Sequence, residues 1–326
     1  MTDLSAKLFI RNFRKGKSVA SQIDSKNGVI SAKRRENWTG TIMAMTPFIG
    51  YLIFGMLPMA ISLVISFCEM RSFNIWHAHF IGFDNYVQLF SRKWLYRAIG
   101  NTMYYSLSVP INVLMSLFLA NLLSKPLKGK AVSRVILYLP SVCSSVGVTL
   151  MWQWIFSEYG VINTILTKCF GLEKIMFMTS PLWFMPVCIF ISIWMRGTNI
   201  MQLQGAMANV NKSLVEAAKL DGASKARIFW HVTLPAISPT LFYVIVMWYI
   251  AAFQEMAIMN LIANSDVGPD FAAMTLTNYI YRMAFTQTNI EGFGPASALS
   301  WITCVFILIF SRILFKLGNK FITYDN

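Results

Sequence analysis

The chain has 326 residues, 56% of them hydrophobic and 13% charged, with a formal net charge of +14. A soluble domain carries roughly 25% charged residues, so this balance argues against a soluble enzyme and for a protein embedded in a lipid bilayer. The excess Lys and Arg then belong beside anionic lipid rather than on nucleic acid.

Residues 1–40 carry nine Lys/Arg against three Asp/Glu. No apolar core follows closely, so the segment does not read as a cleavable signal peptide. Residues 4–13 suit a short basic amphipathic helix on the membrane surface or a disordered basic tail. Six charge-free runs follow, at 37–68, 98–124, 135–157, 175–195, 232–254 and 292–311. A helix of about 20 apolar residues spans a bilayer, so six spans are expected. Pro47 and Pro58 predict kinks in the first. Between the first two runs lies a polar stretch, 69–97, that contains Phe80-Ile81-Gly82-Phe83-Asp84-Asn85-Tyr86 together with His77 and His79. Two histidines without a third ligand do not make a metal site.

Lys125, Lys128, Lys130 and Arg134 form a short basic loop before the third run. Pro140 interrupts that run, and its Ser and Gly residues allow helices to approach closely. It ends in Met151-Trp152-Gln153-Trp154, an aromatic set suited to a membrane interface. A loop with Glu158, Lys168, Glu173 and Lys174 precedes the fourth run, which extends past Arg196 towards Gly205. Ser238 is the practical start of the fifth run, and Glu255 falls at its far end. A polar loop with Asn264, Asp266 and Gly268-Pro269 leads to the sixth, and Arg312, Lys316 and Lys320 close the chain. Five cysteines (Cys68, Cys143, Cys169, Cys188 and Cys304) form no CxxC pair and read as small buried hydrophobes, not a disulfide framework.

Six spans put both termini on one side. The tails, the 124–134 loop and the polar region from Arg196 hold 21 Lys/Arg, against 7 in the three opposite loops. Positive charge stays on the cytoplasmic side, so both termini and the segment around Glu216 are expected there.

That segment reads as helix, turn, helix. Ser213 followed three residues later by Glu216 predicts a capping box. Ala217, Ala218, Lys219 and Leu220 are strong helix formers. Gly222 suits the left-handed position that closes a helix. Ser224 is placed to cap a second helix carrying Ile228, Phe229 and Val232, and Pro235 and Pro239 should break the chain before the fifth run.

On these residues the chain resembles the permease subunits of ABC importers. Their signature is Glu-Ala-Ala, three residues, Gly, nine residues, a β-branched residue, one residue and Leu-Pro. It is present here from Glu216 to Pro235, with Val232 where Ile is usual and Val210-Asn211 where Ile-Pro is common. The longer pattern with Asp221, Gly222, Ala223, Phe229 and Thr233-Leu234-Pro235 is similar to the sugar-importing branch, of the maltose and glycerol-3-phosphate type. The 80–86 segment and Asn101-Thr102 match that branch as well. The resemblance implies an all-α integral membrane protein with the six-helix bundle of the type I importers. It implies a basic N-terminal tail (1–40), a permease domain (41–317) and a C-terminal tail (318–326) in a bacterial cell membrane. It further implies that the 206–239 loop couples to an ATPase through Glu216, Ala217, Ala218, Asp221, Gly222, Ala223, Phe229, Leu234 and Pro235. The implied partners are a second homologous permease, two ATPase subunits, an extracytoplasmic solute-binding protein and a saccharide. Glu216 also remains readable as a helix cap, and Asp221-Gly222 as a turn alone.

There is no GxxxxGK, HExxH or GxSxG and there are three histidines, so no nucleotide loop or catalytic constellation is present in the sequence. No cofactor or metal is expected on this chain; ATP and Mg belong on the partner ATPases. Polar and aromatic groups within apolar runs are costly facing lipid and mark a solute path: Trp152, Gln153, Asn199, Phe253, Gln254 and Glu255 are the candidates, with interfacial anchoring as the other reading of the tryptophans. A permease for a polyol, a glycerol phosphate or an oligopeptide, or a passive channel or scaffold, stays open from sequence, and the solute is not named by it.

Overall fold

A computed structural model of the chain describes residues 38–71, 78–125, 128–264, 266–286 and 292–318. The basic helix expected at 4–13, His77 and the tail from 319 lie outside the described residues. The chain divides into two compact units, Met1–Ser62 and Leu63–Asn326.

The described part of the first unit belongs to helix α1 (Trp38–Ser66). Its side chains are apolar and exposed, Phe54 and Met43 among them, as suits a helix surrounded by lipid. Pro58 does not break it. The helix widens by one residue over Leu52–Met56, and the N–H of Leu57 donates to the carbonyl of Leu52. The widened turn carries the backbone past a residue that has no N–H to give.

Among its described residues the second unit is helical, with turns and loops, apart from a two-residue antiparallel ladder, β1 (Cys68–Glu69) with β2 (His79–Phe80). Helix α2 (Asp84–Ser91) follows, then α3 (Lys93–Ser106) and α4 (Ser108–Ser124), which together form one crossing-length helix. The third run is not a straight span. It is α5 (Lys130–Val142) and α6 (Ser145–Ile155), bent by 101° at the break. Helix α7 (Val161–Phe170) is short. The fourth run starts at a proline, as α8 (Pro181–Trp194), and bends by 47° into α9 (Gly197–Ala208). The polar segment gives α10 (Lys212–Leu220) and α11 (Lys225–Ala236). A 71° bend at Ile237 leads into α12 (Ser238–Phe253). Helices α13 (Ala257–Ile262) and α14 (Leu276–Tyr281) precede the last long helix, α15 (Phe293–Gly318). Among the described residues, three helices can cross a bilayer by length and composition, and up to six crossings result if each bent pair is one span.

Two apolar clusters hold the second unit together. One joins α3, α4, α8, α9, α12 and α13 through Tyr105, Val113, Phe184, Ile191, Leu203, Trp248 and Met259. The other joins α2, α3, α14 and α15 through Leu89, Leu95, Tyr279 and Leu299. Gly197 fixes one approach between helices. A Cβ at this position would lie 2.1 Å from the carbonyl oxygen of Leu137 and 2.9 Å from the Cα of Tyr138, so α9 starts directly against the backbone of α5.

Gly197→Ala is therefore expected to destabilise the purified protein by about 1–3 kcal/mol, the usual range for overpacking. Gly205→Ala, where an added Cβ meets nothing within 4 Å, should be neutral or slightly stabilising. Paired thermal unfolding of the two variants checks this; equal melting temperatures would contradict the close approach.

Candidate functional site

The Glu216 segment is a helical hairpin with both ends of its turn capped. Helix α10 does not begin at a Ser213–Glu216 capping box. Asn211 is the cap: its Oδ1 accepts from the N–H of Ser213 at 3.0 Å and from the Ser213 hydroxyl at 2.8 Å. The Ser213 side chain is thereby occupied, and the helix starts two residues earlier than a Ser213 cap would allow. Glu216 lies in the body of α10, exposed, and does not cap it.

The exit from α10 follows the sequence expectation. Gly222 is left-handed, φ 76°, and its N–H donates to the carbonyl of Lys219, while the N–H of Ala223 donates to that of Ala218, each at 3.0 Å. This is the two-bond closure that a left-handed Gly permits. Two residues later Ser224 caps α11, its Oγ accepting from the N–H of Arg227 at 3.3 Å. Pro235 does not end α11. The helix widens over Phe229–Thr233, the N–H of Leu234 donates to the carbonyl of Phe229, and the chain turns only at Ile237. The same device carries α1 past Pro58.

The motif residues fall into two sets. Glu216, Ala217, Asp221 and Gly222 are exposed, and Leu220 at the apex is 90% exposed. Ala218, Ala223, Phe229, Leu234 and Pro235 are half-buried, and Ile228 is buried. One set anchors the hairpin and the other presents it. Leu214 and Trp230 are further exposed apolar residues of the hairpin. An exposed apolar platform on a capped hairpin is suited to contact with a second protein.

The candidate path residues have different surroundings. Trp152 packs in an aromatic group with Phe156, Phe190 and Trp194, at centroid distances of 4.9–5.7 Å, and its buried Nε1 has no hydrogen-bond partner among the described residues. Gln153 and Glu255 flank α13. Gln153 Nε2 donates to Asn264 Oδ1 at 2.8 Å, and Glu255 Oε1 accepts from the N–H of Ile258 at 3.0 Å. Phe253 is buried among Tyr249, Phe306 and Phe310, while Gln254 is exposed at the end of α12. Asn199 is buried on α9, and its Nδ2 has no partner among the described residues. Gln153 and Glu255 thus flank one short helix, Trp152 packs against α8, and Asn199 lies apart on α9, beyond the bend where Arg196 stacks over Trp248 at 5.3 Å.

Several positions that build these surroundings were not singled out as such from the sequence. Gln204 Nε2 donates to the carbonyl of Leu123 at 2.9 Å, and its Oε1 accepts from Arg134 Nε at 3.0 Å. At the far end of α3, Arg97 holds the carbonyl of Asp270 at 2.7 Å and pairs with its carboxylate. Asn101 Nδ2 donates to the carbonyls of Phe271 and Met274, and the N–H of Leu276 donates to Thr102 Oγ1. Asp270 and Phe271 are left-handed, φ 47° and 57°, a conformation disfavoured for such residues and here fixed from one helix face. Arg92, Lys93, Trp94, Arg97, Asp270 and Phe271 line a cleft of about 620 Å³ at that end.

Residues 80–322 match the family described as "Binding-protein-dependent transport system inner membrane component". The chain is 32% identical over 296 residues to the "Probable ABC transporter permease protein YesP" of Bacillus subtilis, covering 90% of this chain and 94% of that one. It is 28% identical to the "Lactose transport system permease protein LacF" of Rhizobium radiobacter, over 89% and 97% of the two chains. Among solved structures, it is similar to a chain of the bacterial alginate ABC transporter in complex with an alginate pentasaccharide-bound periplasmic protein. The TM-score is 0.75 and the identity 26%, over 86% of this chain and 93% of that one. A family model that covers most of the chain, together with its α-helical membrane fold, makes this a non-catalytic membrane permease that belongs to the inner membrane components of binding-protein-dependent transport systems.

Proposed function

We propose that this chain is the translocation subunit of an ATP-driven importer for a saccharide, coupled to its ATPase through the α10–α11 hairpin. The observation that carries the reading is the hairpin itself: capped at Asn211, Gly222 and Ser224, anchored at Ile228 and open at Leu220. The saccharide follows from the lactose and alginate transporters to which the chain is similar. Aromatic faces and amides such as those of Trp152 and Asn199 suit sugar rings, which carry an apolar CH face and many hydroxyls.

In this reading residues 41–317 form the translocating domain, 206–239 its coupling loop, and 1–40 and 318–326 cytoplasmic tails. A second permease completes the pore, and two ATPase subunits bind ATP and Mg. A solute-binding protein docks at the opposite end, against the loops of Asp84, Tyr159 and Asp266. The hairpin transmits motion because its caps make it stiff; each cap is worth about 1 kcal/mol. Glu216 and Asp221 are placed to meet basic groups of the ATPase, and Leu220 to enter an apolar groove.

Two experiments follow. In a background free of native Cys, Leu220→Cys should resist a membrane-impermeant thiol reagent in intact cells and Tyr159→Cys, 80% exposed at the other end, should react; labelling at 220 from outside would reverse the topology. In the purified complex, Gly222→Val strains a left-handed position by roughly 1–2 kcal/mol, whereas Glu216→Ala leaves the helix cap intact. Both should lower ATPase retention or uncouple hydrolysis from uptake. Full ATPase stoichiometry with unimpaired uptake in both variants would reduce the hairpin to a connection.

A further inference from the structure

Beside the hairpin, at the same end of the second unit, lies a cleft of about 350 Å³ between α5, α9, α10 and α11. Lys130, Arg134, Lys212 and Lys219 line it, against Glu216 as the one carboxylate of the lining. Among the described residues, the ion pairs are elsewhere, at Arg71–Glu69, Arg97–Asp270 and Lys174–Glu158. Four cations therefore line a partly enclosed space with a single carboxylate, Glu216, among them.

Two helices begin at this cleft. Lys130 is the first residue of α5 and Lys212 the first of α10, and neither helix carries an acidic residue in its first turn. The N-terminal end of a helix is already positive, so lysines there are unfavourable unless an anion is close. At α5 the preceding Gly129 offers no side-chain cap. Part of the wall is rigid: Arg134 Nε is fixed at 3.0 Å to Gln204 Oε1, and Gln204, 4% exposed, is fixed in turn to the carbonyl of Leu123. That bond occupies Nε and leaves the other guanidinium donors for a ligand.

We propose that this cleft binds a phosphate-bearing anion, held by Lys130, Arg134, Lys212 and Lys219. A tetrahedral, multiply charged group satisfies several ammonium and guanidinium donors at once. The cleft joins α5 of the membrane bundle to α10 of the hairpin, so an occupant ties the two together and tunes how the hairpin passes motion to the bundle. The anion has two available sources, the headgroup of an anionic phospholipid and a free phosphorylated solute of the cytoplasm.

Direct binding separates the sources and is independent of which solute is transported. The assembled complex is prepared in nanodiscs of phosphatidylcholine. Phosphatidylglycerol is added in one arm and scored as bound lipid by native mass spectrometry. Inorganic phosphate and glucose 6-phosphate are titrated in the other. Wild type should bind one of these probes, and Lys212→Gln and Lys130→Gln should each weaken that binding roughly tenfold, the effect of losing one charge-assisted contact. Arg134→Lys keeps the charge and should weaken it less than Arg134→Gln. Retention of lipid alone identifies the headgroup; binding of the free phosphates alone identifies the solute. The proposal is overturned if neither probe binds, or if binding is unchanged in the variants. It is likewise overturned if Lys130→Gln releases the ATPase subunits without changing probe binding, since the cations would then serve a protein contact.

Discussion

Within lipid, every backbone N–H and C=O must find a partner inside the protein, and this chain breaks its helices often. Each break has a local answer. Widened turns carry α1 past Pro58 and α11 past Pro235. Asn85 Nδ2 donates to the carbonyls of Ser66 and Cys68 at 2.9 Å each, closing the end of α1, and the Tyr86 hydroxyl meets Ser66 Oγ at 2.8 Å. Gln204 covers a terminal carbonyl of α4. Asn101 and Thr102 cover the irregular chain before α14. Several buried amides and hydroxyls thus sit where helices end, while the bends of the three broken helix pairs set the directions of α5, α9 and α12.

The hairpin is the exception to this economy. It contains no buried residue in α10; its apolar anchoring comes from α11, where Ile228 is buried and Phe229 and Leu234 pack against the larger cluster, and caps shape the rest. Its apex at Leu220 is exposed, clear of the apolar clusters that its α11 arm touches. Its connections to the bundle are few and directional: through α11 across the bend at Ile237, and through the wall shared with α5 and α9. A contact made at Leu220 thus has two rigid routes into the membrane domain.

Much of this was legible in the sequence. The charge-free runs mark the apolar helices because only they tolerate lipid, and the left-handed turn at Gly222 and the cap at Ser224 follow from local backbone chemistry. The cap at Asn211 was missed because Ser213 and Glu216 have the spacing of a capping box, and spacing cannot tell which of two neighbouring polar residues takes the position. The bends of 101° and 47° were hidden because an apolar run reads the same whether straight or broken, whereas a break before the fifth run, where the chain bends by 71°, was expected from Pro235 and Pro239. Pro235 looked like a stop because a single missing N–H is visible in the sequence, whereas the widened turn that absorbs it is not. Among the path candidates, Gln153 and Glu255 carry hydrogen bonds that shape α13; pairings of that kind arise only once distant segments meet.

The claim on which the account turns is that Leu220 at the apex of the hairpin touches the ATPase. A photo-crosslinking amino acid in place of Leu220, activated in membranes containing the assembled transporter, tests it directly. The expected result is a covalent adduct between this chain and an ATPase subunit, absent when the same group replaces Tyr159 at the opposite end. Adducts to lipid alone, or equal ATPase adducts from both positions, would contradict it.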